Sequence, residues 1–122
     1  MIHLDTSVLV VALSGPKSVA GTLRQVIEQG ERIALSAIVL YEWLRGPRLR
    51  EELTAQEALF PTESSVPFGP EAATLAAELY RALRRSRSRE LDLAIAACAL
   101  VHGAALWTLN PRDVDDVPDL AL

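Results

Sequence analysis

The chain has 122 residues, a size that suits one domain (residues 1–122) around one core, and half of them are hydrophobic, which excludes wholesale disorder. Its net charge of −4 excludes nucleic-acid binding by bulk charge, and no apolar run approaches the roughly 20 residues of a membrane span. The only cysteine, Cys98, excludes an intrachain disulfide and lies between alanines, as a buried thiol would. No basic stretch precedes the first apolar run and Asp5 interrupts it, so no signal peptide is expected and a cytoplasmic protein is.

Ile2 to Leu4 predicts a short buried strand and Ser7 to Leu13 the start of a helix. Asp5 then stands where a strand stops, at the carboxyl edge of a sheet, where open α/β sheets bind ligands. A carboxylate between two apolar runs is costly to desolvate unless it is paired or holds a metal; capping the following helix is its plainer use. The pairs Gly15-Pro16, Gly46-Pro47 and Gly69-Pro70 read as punctuation, closing one segment and opening the next. Lys17 to Gln29 is an amphipathic helix ended by Gly30, and Arg32 to Leu35 is a second strand.

Ser36 caps a helix from Ala37 to Arg45 that is apolar on nearly every face, so Glu42 within it has few ways to avoid partial burial. A salt link to Arg45 is the plain explanation for that residue. Pro47 to Leu59 predicts a surface helix, Phe60 to Ser65 a loop, Ser65 to Phe68 a short strand and Pro70 to Arg85 a further helix. Ser86-Arg87-Ser88-Arg89 is a polar, basic break. All basic residues but Lys17 are arginines, and Arg81, Arg84, Arg85, Arg87 and Arg89 cluster before and within that break. Leu91 to Val101 is the most apolar helix, with Asp92 its only charge; the positive end of a helix dipole tolerates an acid there but does not explain such dry surroundings. Ala104 to Leu109 is the last strand, followed by the turn Asn110-Pro111-Arg112-Asp113, and Asp115 to Asp119 reads as a solvated acidic tail.

Alternating strands and helices argue an α/β fold with a mainly parallel sheet and helices on both faces. Right-handed crossovers gather the strand ends on one edge. Asp5, Glu42 and Asp92 would repel one another there without a counter-ion, and a hard divalent cation with oxygen ligands is the economical answer. No Cys/His cluster suits zinc, His3 and His102 belong to no motif, and no glycine-rich phosphate loop is present.

Four segments in order resemble the PIN domain, with the greatest similarity to VapC-like toxins of type II toxin–antitoxin systems. They are Leu4-Asp5-Thr6-Ser7-Val8-Leu9, Leu40-Tyr41-Glu42-Trp43-Leu44-Arg45-Gly46, Leu91 to Ala99, and Leu106-Trp107-Thr108-Leu109-Asn110-Pro111-Arg112-Asp113. The resemblance spans the chain and implies a three-layer α/β/α sandwich and a Mg2+- or Mn2+-dependent ribonuclease neutralised by a cognate antitoxin and assembled as a homodimer. It implies Asp5 and Asp92 as metal ligands, Glu42 as the second acidic position, Asn110 and Asp113 at the end of the site, and Thr6 and Ser7 as the hydroxyls beside the first Asp. Val114 departs from the aromatic usual in these toxins. The arginines Arg84, Arg85, Arg87 and Arg89 are candidates for gripping RNA backbone, a salt-sensitive contact blind to sequence.

A phosphatase of the haloacid dehalogenase type needs a second Asp where Ser7 stands, and a receiver domain needs a late Lys that is absent. A degenerate PIN domain that only binds a protein or RNA is the alternative that Asn110 keeps open. On the preferred reading, loss of Asp5 or Asp92 abolishes cleavage and slightly stabilises the metal-free fold. Asp113, acting through water, matters less, and Asp116→Asn does little.

Overall fold

The computed structural model describes residues 1–15 and 17–122, without the side chains of Lys17 and Ser18; the first Gly-Pro pair ends on Pro16, outside the described residues. Among the described residues three parallel strands form one sheet in the order β2-β1-β3: β1 Ile2–Leu4, β2 Ile33–Ala34 and β3 Ala105–Trp107. Six α-helices accompany it: α1 Thr6–Ser14, α2 Lys17–Glu28, α3 Ala37–Arg45, α4 Arg50–Leu59, α5 Pro70–Ala82 and α6 Glu90–Val101. This is the expected α/β sandwich. No single helix among the described residues is long and apolar enough to cross a membrane.

The register of the sheet decides which loops share an edge. Leu4 of β1 lies beside Trp107 of β3, and the Asp5 amide donates to the Trp107 carbonyl at 2.9 Å. Because all three strands run parallel, the chain leaves each one at the same edge: through Asp5 into α1, through Leu35 and Ser36 into α3, and through Thr108 into the final turn. α6 is buried from Leu93 to Ala99, and its alanines at 94, 96, 97 and 99 are small enough to let it pack against α5, α3 and β3 at close range. Cys98 is buried in it, as expected. Gly103 ends α6 and Gly30 ends the turn after α2, at φ of 63° and 88°, the left-handed conformation that glycine adopts without steric cost.

Ser36 caps α3, its hydroxyl accepting from the Val39 amide at 3.2 Å. Elsewhere the boundaries differ from the sequence reading. α4 begins at Arg50, three residues late, because Arg48 folds back to donate to the Trp43 carbonyl and stack on its ring, 4.1 Å from the centroid. α5 stops at Ala82, and Arg85 beyond it is left-handed at φ 56°, which no helix can continue through. In place of a strand at 65–68 there is one parallel bridge, Ser36 to Val66; Pro67 has no amide with which to extend it. His3 and His102 meet edge to face at the far end of α6 from Asp92, with nitrogens 3.1 Å apart. Burial, His102 and the N-terminal charge push the His3 pKa down to about 4, so this interior imidazole is neutral at pH 7.

Candidate active site

The carboxyl edge of the sheet gathers the acidic residues. Asp5 occupies the N-cap position of α1, yet its side chain makes no cap hydrogen bond. Its Oδ2 instead accepts two hydroxyls, from Ser7 at 2.7 Å and from Thr108 at 2.9 Å. Ser7 in turn accepts from the Leu109 amide at 3.1 Å, and Thr108 from the Asn110 amide at 3.0 Å, so the start of α1 and the end of β3 hold Asp5 from both sides. Glu42, in the second turn of α3, accepts from the Thr6 hydroxyl at 2.6 Å. The salt link to Arg45 expected of Glu42 exists, at a longer 3.4 Å and with the arginine half exposed; an exposed pair of that length contributes little.

Asp92 lies in the first turn of α6, where a helix dipole alone would favour its ionised form. The balance goes the other way. Burial first, then the negative charges of Asp113, Asp5 and Glu42, push its pKa up to about 6, with Arg89 opposing. Three carboxylates from other parts of the chain thus act on Asp92 electrostatically. The set contains oxygen donors and neither imidazole nor thiol, which suits a hard divalent cation and not zinc. Among the described residues no three acidic, His or Cys side chains already converge as ligands of one ion. A hard divalent cation held here would complete its shell with water.

A PIN domain family model matches residues 2–120. The chain belongs to the PIN domain family. It is 36% identical over 119 residues to Ribonuclease VapC19 of Mycobacterium tuberculosis, covering 96% of this chain and 94% of the relative. In fold it resembles a toxin–antitoxin complex from Klebsiella pneumoniae (TM-score 0.74, 22% identity, 100% of this chain and 97% of the other). It likewise resembles VapBC2 from Rickettsia felis, solved bound to a promoter DNA fragment (TM-score 0.72, 23% identity, 100% and 97%). Metal dependence is general among PIN-domain ribonucleases of the VapC kind.

In this PIN domain the segment from Asp115 to Asp119, read from the sequence as a solvated acidic tail, is exposed at Asp115 and Asp119 but tied into the fold around them. Val114 and Val117 are buried in the core, Val114 in the place of the usual aromatic, and the Leu106 amide donates to the Ala121 carbonyl at 2.8 Å. Asp116 is paired with Arg89, whose side chain is 11% exposed, so neither behaves as a free surface charge. Arg84, Arg85 and Arg87 are exposed. Asn110 precedes and Asp113 closes a 3-10 turn at Pro111–Asp113; both are exposed, with Asp113 close enough to raise the Asp92 pKa.

The residue that motif reading passed over is Thr108. It lies 103 positions from Asp5 in the chain, and only the β1–β3 register brings them together. Thr108→Val keeps the shape and removes the hydroxyl. If Asp5 holds a metal, the loss is expected to cut activity by about 10- to 100-fold, and it should cost roughly 1 kcal/mol of stability. Thr108→Ser should retain most of both; equal activity in the Val variant and the wild type would exclude an orienting role.

Proposed function

We propose that this chain is a divalent-metal-dependent endoribonuclease, the toxin of a toxin–antitoxin pair, hydrolysing RNA phosphodiester bonds. The observation that carries this reading is the Asp92 carboxyl, its pKa held up by burial and by three neighbouring carboxylates at the carboxyl edge of the sheet. Like charges are not gathered in partly dry surroundings without a counter-ion to relieve them. Sequence identity of 36% to a ribonuclease along nearly the whole chain supports the choice of RNA.

Asp5 and Asp92 are the residues to hold Mg2+ or Mn2+. A divalent cation there supplies an activated water and neutralises charge at the scissile phosphate. Ser7 and Thr108 both donate to Oδ2 of Asp5, which fixes the carboxylate rotation and leaves Oδ1 without a hydroxyl donor from either. Thr6 does the same for one oxygen of Glu42, and Glu42 or Asp113 then orients the attacking water as an acceptor. Arg84, Arg85 and Arg87 offer the phosphate backbone a basic, sequence-blind grip; RNA choice then rests on shape and on unpaired loops. RNA incubated with the purified chain should be cleaved in Mg2+ or Mn2+ and left intact in EDTA. Cleavage that persists in EDTA would remove the metal from the mechanism, and binding without cleavage in any divalent ion would make the chain a degenerate PIN module.

The partner reading rests on exposed apolar side chains. Tyr41 and Leu44 on α3 are 54% and 48% exposed, and Leu49 and Leu53 at α4 are 65% and 38% exposed, beside the helix that carries Glu42. Exposed apolar side chains mark an interface where they form one contiguous patch, and these four lie within 13 residues of one another in the chain. An antitoxin tail covering it, and a homodimer of the chain itself, are the expected assemblies. Light scattering of the chain alone and with a co-expressed antitoxin tests both; a strict monomer that takes no partner would count against them.

A further inference from the structure

Arg89 stands directly before α6, one turn ahead of Asp92. Unlike Arg84, Arg85 and Arg87, it is turned inward. Its Nε donates to the Asp113 carbonyl at 3.0 Å, and Nη1 donates to Asp116 Oδ2 at 3.0 Å and to the Arg84 carbonyl at 3.1 Å. Its Nη2 donates to the other Asp116 oxygen, completing a two-pronged pair. Planar guanidinium and carboxylate match in this way as no lysine could. One side chain thus joins three segments: the turn after α5, where Arg85 is held left-handed, the Asn110–Asp113 turn, and the chain just past buried Val114. The bond to Asp113 goes to its backbone, so the Asp113 carboxylate is not consumed by the arginine.

We propose that Arg89, clamped to Asp116, is a positioning residue: it fixes the Asn110–Asp113 turn against the start of α6 and so sets the separation of Asp113 and Asp92. Its importance for cleavage rests on the ribonuclease reading. Isolated surface ion pairs contribute little, but this one is bidentate, mostly buried on the arginine side and tied to two carbonyls. The clamp also assigns Arg89 a role other than gripping RNA, since four of its five N–H donors already have acceptors within the chain.

The test uses Asp116→Asn and Arg89→Lys, with Asp115→Asn as the neighbouring control. Mn2+ is titrated against thermal melting without RNA, and kcat and KM for RNA cleavage are measured separately. The clamp requires the Mn2+ half-saturation to rise by about 10- to 100-fold in both variants, as for other groups that support metal ligands. It also requires kcat to fall by the same order, KM to stay within about two-fold and Asp115→Asn to match the wild type. If Arg89→Lys does not fold, Asp116→Asn, at a carboxylate 38% exposed, carries the test alone. Unchanged Mn2+ affinity in the variants overturns the proposal. So does a rise in KM with a shallower salt dependence at constant kcat, which would mark Arg89 as a phosphate contact. Weakened Mn2+ binding in variants of a protein that never cleaves RNA would support the clamp and refute the ribonuclease reading. A wild type that cleaves RNA while the variants keep full metal affinity would refute the clamp alone.

Discussion

Asp92→Asn is expected to abolish RNA cleavage and, in the metal-free protein at pH 7, to raise the melting temperature. The Asp92 pKa is about 6 in the folded chain against an ordinary value of 3.8. The folded state therefore binds this proton more tightly than the unfolded state, and stability falls as pH rises between those values. The favourable contribution is fully present below about pH 4 and is lost as pH passes through about 6. Asparagine does not titrate, so the variant gains on the wild type across that window and keeps its lead above it. After allowance for solvent screening at a partly exposed group, the lead at pH 7 is on the order of 1–2 kcal/mol, or several degrees of melting temperature. His3 works in the opposite direction, losing stability as pH falls from about 6.5 toward its folded value of about 4. That loss is common to both proteins and cancels in their difference. Mn2+ should reverse the order by stabilising the wild type and leaving the variant little changed. A variant that cleaves RNA normally, or melts below the wild type at pH 7 without metal, would refute the placing of Asp92 among repelling carboxylates.

The acids were legible because each is out of place. Asp92 is the one charge in an apolar helix, Asp5 follows a buried strand, and Glu42 sits on a helix with few polar faces. An ionised group that burial makes costly is visible in a sequence without any knowledge of the fold. The groups that hold those acids were not legible in the same way. Thr6 and Ser7 follow Asp5 directly and came with the family resemblance, but Thr108 depends on Leu4 lying beside Trp107, a fact of sheet register. Asp116 was misread for a related reason. A run of aspartates looks solvated, and nothing local says that an arginine 27 residues away will pair with one of them. The helix ends at Arg50 and Ala82 were set by Arg48 stacking on Trp43 and by left-handed Arg85, both tertiary outcomes that override local propensity.

Asp5→Asn and Asp5→Ala should both lose cleavage, by on the order of 10³-fold or more, since a bound cation supplies several kcal/mol of charge stabilisation. Their stabilities should part from each other and from that of Asp92→Asn. Removal of either Asp was expected from the sequence to stabilise the metal-free fold, because repulsion was the only interaction in view. The structure gives Asp5 a second one: Ser7 and Thr108 both donate to its Oδ2. An asparagine oxygen can take both hydroxyls, so Asp5→Asn should melt near the wild type while failing to gain stability from Mn2+. Alanine leaves both hydroxyls without their acceptor in a part-buried setting, and that costs about 1–3 kcal/mol. The expected order of metal-free melting at pH 7 is Asp92→Asn above the wild type, Asp5→Asn beside it and Asp5→Ala clearly below. Thermal unfolding of the four proteins, with RNA cleavage measured on the same samples, tests that order. An Asp5→Ala variant more stable than the wild type would mean that repulsion outweighs the hydroxyl bonds at Asp5 as it does at Asp92, and that Thr108 and Ser7 hold that carboxylate only loosely.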